Sequence, residues 1–370
     1  MSNSFPERFG RYTLLQRVAF GGMAEILLAI EETPHSGKRF VTIKRIRSEH
    51  SHDPDYIDFF VSEGRVSMQC AHPNLVTSFD LDTVNGVHYL AMEYIRGHTL
   101  LDLIRTAHHT KVKLSVPSVL RIAGEVAAGL DHLHTMCDGD GRALHVVHRD
   151  VTPQNIMIDA VGSVKLIDLG IARSEMQVHQ TKVGTVKGKL SYIAPEQLGT
   201  NRVLDGRADI FSLGIVMHES LTTRGLFRGN NDNDTVRRIR QMPIPLVHTQ
   251  RRDVTHEVDA LLGKALERDL ASRFQSASEL LRALHGLNAD DRPGSLTMLR
   301  DEVLALCGDP PVPTLGGGSF SALRAALRPD AESREGQAGD SIDYFLERTQ
   351  TSLPTATHEP FDEFDEFEGE

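Results

Sequence analysis

His148-Arg149-Asp150-Val151-Thr152-Pro153-Gln154-Asn155 sets a carboxylate and an amide five residues apart in one short stretch. Asp150 can accept the proton of a hydroxyl nucleophile, while the side-chain oxygen of Asn155 can hold a divalent cation. Thirteen residues on, Asp168-Leu169-Gly170 follows the strand-like run 164–167. A carboxylate at a strand end, followed by glycine, is well placed to bind Mg2+. Ala194-Pro195-Glu196 and Asp209-Ile210-Phe211-Ser212-Leu213-Gly214 stand further downstream. Each of these has an ordinary reading by itself; their order and spacing together do not.

Upstream, Val18-Ala19-Phe20-Gly21-Gly22-Met23-Ala24-Glu25-Ile26 reads as a small-residue turn between two strands. Residues with little side chain let backbone N–H groups approach a polyphosphate closely, although a Gly-Gly hairpin turn looks much the same. Val41-Thr42-Ile43-Lys44 follows, and an inward lysine on a strand can reach phosphates; taken alone, a solvated edge lysine is the simpler reading. Glu63 comes 19 residues later within a helical stretch and can pair with Lys44.

Around these motifs the texture changes along the chain. Residues 12–20, 26–30, 40–46, 76–81 and 88–93 are strand-like runs separated by turns, interrupted by a helical pattern over 56–70. After Tyr94, longer helical patterns cover 117–135 (with Ser115 as its cap), 209–221 and 257–266. The fold class is therefore α+β, a small β-rich lobe preceding a larger helical one. Residues 295–306 can form one amphipathic helix packing on the larger lobe, Gly316–Gly318 reads as a flexible linker, and the last 40 residues are too polar and acidic to pack.

The chain has 370 residues, 40% hydrophobic and 25% charged, the composition of a soluble globular protein with two or three folding units. Residues 330–370 hold 13 Asp or Glu against two Arg, a net −11 that equals the charge of the whole chain, so residues 1–329 are neutral. Neither part offers the basic field that a nucleic-acid backbone requires. Cys70, Cys137 and Cys307 lie far apart with no metal-type spacing, which fits a reducing compartment. No signal-type run opens the sequence and no stretch approaches ~20 apolar residues, so the expectation is a cytoplasmic protein with no membrane span.

In order and spacing, these motifs resemble the protein kinase family, specifically the bacterial eukaryotic-like (Hanks-type) serine/threonine kinases. The resemblance covers about residues 10–285 and implies a two-lobed kinase domain over 11–287, with an N-lobe at 11–94 and a C-lobe at 95–287. A flanking helix and glycine-rich linker would follow at 288–329, and an acidic disordered tail at 330–370. The resemblance further implies ATP in the cleft with Mg2+, or alternatively Mn2+. Lys44 would contact the α/β-phosphates and be held by Glu63. Asp150 would be the catalytic base, with Asn155 and Asp168 as metal ligands. The turn Val18, Ala19, Phe20, Gly21, Gly22, Met23, Ala24 would cover the nucleotide. The hinge would present the backbone of Glu93 and Ile95 to adenine, with Val18, Ile26 and Met157 sandwiching the ring. Glu196, Arg273 and Asp209 resemble scaffold residues of the family. Protein substrates carrying Ser or Thr follow from the same resemblance; the alternative is a pseudokinase or an ATP-binding scaffold.

The sequence departs from the family at several places. Ala19 and Ala24 stand where glycine is usual, predicting a stiffer loop. Thr42 stands for an alanine beside the adenine, and Leu169 for a phenylalanine. Thr152 occupies the place of the usual lysine two residues after the base, while Lys189 occupies that of the usual threonine seven residues before Glu196. The two side-chain types are exchanged, so Lys189 is expected to supply the phosphate-facing charge. Arg149 marks control by a phosphorylated loop, with Thr181 and Thr185 as candidate acceptors. The tail motif Phe361-Asp362-Glu363-Phe364-Asp365-Glu366-Phe367 reads either as a solubilising end or as a docking peptide.

Overall fold

Alternating apolar residues pair six strands into one antiparallel sheet: β1 (Glu7–Phe9), β2 (Tyr12–Phe20), β3 (Ala24–Thr33), β4 (Gly37–Ile46), β5 (Ser78–Val84) and β6 (Val87–Glu93). The computed structural model describes residues 5–33, 37–170, 189–199, 204–287 and 296–310. Strand order is β1-β2-β3-β4-β6-β5. Because side chains alternate along a strand, β4 and β6 serve both faces. Val41, Ile43, Tyr89 and Ala91 join Leu14 and Leu27 in one cluster. Ile46, Leu90 and Met92 join Phe60 in another. Phe60 belongs to α1 (Pro54–Gln69), which Asp53 caps by accepting the Asp55 N–H (3.1 Å).

The second lobe contains α2 (Leu100–Thr110), α3 (Val116–His134), α4 (Arg207–Thr222), α5 (Asp232–Gln241), α6 (His256–Ala265), α7 (Ala277–Leu287) and α8 (Leu296–Cys307). Three short antiparallel strands, β7 (Gly97–Thr99), β8 (Ile156–Asp159) and β9 (Val164–Leu166), pair in the order β7-β8-β9. Ser115 caps α3 as the sequence suggests, its hydroxyl accepting the Ser118 N–H at 3.3 Å. α4 is buried on nearly all sides, and its Leu213 and Val216 share a core with Val126 and Leu130 of α3 and Leu280 and Leu284 of α7. The protein thus has a sheet lobe carrying one helix, followed by a helical lobe with a small sheet.

The helix read over 295–306 is α8, with Leu299 and Val303 in the larger lobe's core. Leu169 is buried in that same core, so leucine fills the place of the usual phenylalanine. Thr181, Thr185 and the 330–370 tail lie outside the described residues. Among the described residues, no helix is long and apolar enough to cross a membrane.

Candidate active site

Lys44 lies two residues before Ile46 on β4 and so shares the sheet face that meets α1. The buried side of α1 is Phe60, Glu63, Gly64 and Ser67, a three-and-four spacing that turns a carboxylate inward with the apolar residues. A Cβ at Gly64 would come 2.7 Å from Leu81 Cδ1, so glycine permits the close approach of α1 to β5. Lys44 Nζ donates to Glu63 Oε1 at 2.5 Å and to Asp168 Oδ1 at 2.7 Å. Burial disfavours the ammonium, but the Asp168 and Glu63 carboxylates outweigh it and raise the lysine above its ordinary range. Lys44 is therefore a fixed positive charge bridging the two lobes.

The loop before β8 hangs from one carboxylate. Asp209, in the first turn of α4, accepts the N–H groups of His148 and Arg149, each at 2.8 Å, and faces His134 Nε2 at 2.8 Å. Burial opposes its ionisation, yet His134, His148 and the Arg149 N–H outweigh that and hold it below the usual carboxylate range. His148 is fully buried, and burial chiefly pushes its pKa below the ordinary histidine range. Arg149 (φ 67°) and Asp168 (φ 60°) are left-handed without being glycine, a strain of the kind concentrated at functional sites.

These anchors place Asp150. Asn155 Nδ2 donates to both the main-chain oxygen and Oδ2 of Asp150, each at 2.8 Å, which turns its own amide oxygen away from that carboxylate. Lys189 Nζ donates to the same Oδ2 at 2.8 Å. The Ile167 N–H donates to Asn155 O at 2.8 Å, tying the approach to Asp168 to the Asp150 loop. A Cβ at Gly170 would lie 2.7 Å from Asp150 Cβ, so glycine is required after Asp168-Leu169. Thr152 is buried, and its hydroxyl has no hydrogen-bond partner among the described residues.

Met23 and Ala24 of the glycine turn, Met92 of β6, Ile95 just after it and Met157 of β8 belong to one apolar cluster. The Glu93 carboxylate accepts from the Thr77 N–H (2.8 Å) and from Lys165 Nζ (2.7 Å). Val18 and Phe20 are exposed, and Ile26 pairs with Lys44 across β3–β4. The Gly21 N–H donates to Ala24 O (2.9 Å), closing the turn. None of residues 18–26 takes a positive φ, so alanine at 19 and 24 meets no backbone penalty. The Asp168 carboxylate and the Asn155 amide oxygen are hard oxygen donors of the kind that suit Mg2+, and the Lys44 ammonium is a charge of the kind that suits a polyphosphate.

Glu196 and Arg273 are an intralobe brace, bidentate at 2.7 and 3.2 Å and almost wholly buried. The sequence reading passes over His134, Lys165, Arg47 and His50. His134 is 75 residues from Asp209, and no spacing rule links such partners.

A sheet lobe and a helical lobe are bridged by a lysine, and an acid–amide–lysine group sits on the second lobe. Comparison with known families matches residues 12–299 to the protein kinase domain. The chain belongs to the protein kinase family. It is 35% identical over 290 residues to MasK of Myxococcus xanthus, named a tyrosine-protein kinase, covering 78% of this chain and 45% of that one. It is 31% identical over 317 residues to the serine/threonine-protein kinase PknB of Mycolicibacterium smegmatis, covering 84% and 48%. PrkC of Bacillus subtilis, also named a serine/threonine-protein kinase, is 31% identical over 271 residues, 73% of this chain and 39% of that one. The chain thus spans less than half the length of these relatives. The crystal structure of the Mycobacterium tuberculosis PknI kinase domain shares the fold, with TM-score 0.58 and 24% identity, covering 77% of this chain and 98% of that one.

Proposed function

We propose that the chain is an active protein kinase that uses ATP and Mg2+, with Mn2+ as an alternative ion, to phosphorylate serine and threonine hydroxyls. The observation that carries this reading is the convergence on Asp150 of Asn155 and Lys189, each at 2.8 Å, close in the chain to an Asp168 already paired with Lys44. Bound Mg2+–ATP supplies the electrophilic phosphoryl group and neutralises its charge. Asp150 orients the substrate hydroxyl and takes its proton. Asn155 and Asp168 hold the metal, while Lys44, steadied by Glu63, holds the α/β-phosphates. Main-chain groups of Glu93 and Ile95 hold adenine, with Val18, Ile26 and Met157 beside the ring and residues 19–24 over the phosphates. Contact with Asp150 supports the exchange of roles in which Lys189 provides the charge that Thr152 lacks. Autophosphorylation of Thr181 or Thr185, with Arg149 receiving the phosphate, belongs to the same reading. So do a cytoplasmic location and tail docking to a partner.

Tyrosine as acceptor is the second reading, favoured by the 35% identity to a chain named a tyrosine-protein kinase. The test is incubation of the purified chain with Mg2+ and γ-labelled ATP beside Asp150→Asn and Lys44→Met, followed by mass-spectrometric mapping. Phosphoserine or phosphothreonine absent from both variants is the expected result. Phosphotyrosine alone would establish the second reading. Nucleotide binding without transfer would reduce the chain to a pseudokinase.

A further inference from the structure

Two side chains from the β4–α1 connection tie down the glycine turn between β2 and β3. Arg47 follows Ile46, which pairs with Ala24, and the Arg47 N–H donates to Met23 O (3.1 Å), adding a rung beyond the end of the ladder. The Arg47 side chain then reaches back to the turn, where Nη1 donates to Gly21 O (3.1 Å) and Gly22 O (3.0 Å). The guanidinium also sits 4.0 Å from the centre of the Phe20 ring. His50 Nε2 lies 3.2 Å from the same Gly22 O, and its ring stacks on Tyr56 of α1 at 4.1 Å.

Two consecutive carbonyls are the groups that decide how this turn presents its donors. A peptide is planar and trans, so each carbonyl points opposite to the N–H of the following residue. With Gly21 O and Gly22 O held on Arg47, the N–H groups of Gly22 and Met23 are fixed pointing away from it. Successive N–H groups held in one orientation make an anion-binding concavity. The guanidinium charge is itself met by Glu49, so Arg47 is placed to anchor the loop and not to serve as a phosphate ligand. A Gly-Gly turn left free would have to be ordered by the nucleotide, at a cost in conformational entropy.

We propose that Arg47, assisted by His50, is a positioning residue that presets the glycine turn to receive the polyphosphate of the nucleotide. This rests on the kinase reading of the cleft, so the test reads binding separately from transfer. Dissociation constants for ATP and for adenosine are measured on the full chain, wild type beside Arg47→Ala and Arg47→Lys, together with amide exchange over residues 20–24 and 40–46. Arg47→Ala is expected to weaken ATP about tenfold and leave adenosine unchanged, with Arg47→Lys in between. Exchange should rise in 20–24 and stay as in wild type over 40–46. Equal losses for ATP and adenosine, unchanged ATP affinity, or an unaltered loop exchange would each overturn the proposal. A wild-type chain that binds neither ligand would instead refute the kinase reading.

Discussion

Lys189 reaches the Asp150 carboxylate from a different segment than the lysine usual in serine/threonine kinases, while the buried Thr152 hydroxyl contributes no hydrogen bond within the described residues. If position along the chain is immaterial and only the charge beside Asp150 counts, two results follow. Lys189→Ala should lower kcat about a hundredfold, the order seen when one preorganised donor is lost, with the nucleotide dissociation constant nearly intact. The double exchange Thr152→Lys with Lys189→Thr should recover at least about tenfold of that loss in steady-state assays. Asp209 also links stability to pH. Its folded-state value lies below the unfolded one, near 3.9, so its stabilisation is present above about pH 4 and disappears as pH falls through the folded value. Asp209→Asn should therefore cost about 2–3 kcal/mol near pH 7, and urea midpoints should show the gap to wild type narrowing below about pH 4.

Elements reveal themselves in sequence to the extent that their apolar stripe is wide. α3, with its Ser115 cap and long buried face, is legible, as are β2 and α8. α5 is not, because half of Asp232–Gln241 is charged and it buries only Thr235 and Ile239. α2 carries its signal in Leu100, Leu103, Ile104 and Ala107 behind a Thr99–Asp102 capping box, a pattern the longer flanking runs obscure. The site divides in the same way. Asp150 and Asn155 are five residues apart and are named by spacing, as is Asp168. Arg47 is invisible because its partners are main-chain oxygens, which every residue has. α8 is more than an appendage: Glu302 accepts the Ser115 N–H (3.1 Å), and past its end Pro310 O accepts from Arg96 (3.3 Å), the residue after Ile95. Leu299→Ala should cost about 2–5 kcal/mol as a core truncation, measurable as a lower urea midpoint.

Across the whole molecule, the Lys44–Asp168 contact joins a sheet residue to the loop after β9, so the cleft is held by the same charges proposed to bind nucleotide. Occupancy and stability are therefore linked. A ligand present at about 100 times its dissociation constant adds ~2.7 kcal/mol, worth about 5 °C in a domain of this size. Mg2+–ATP should raise the melting temperature of the wild type by that order. Lys44→Met removes the contact on which the linkage depends and leaves the buried Glu63 carboxylate without that ammonium, so the variant should melt lower and gain almost nothing from Mg2+–ATP. Replacing Glu63 by Gln in the Lys44→Met background should recover part of the lost melting temperature without restoring the ATP-induced rise. Recovery of both would mean that Lys44 acts only through the charge balance of the fold; recovery of stability alone would separate its brace across the cleft from its hold on the phosphates.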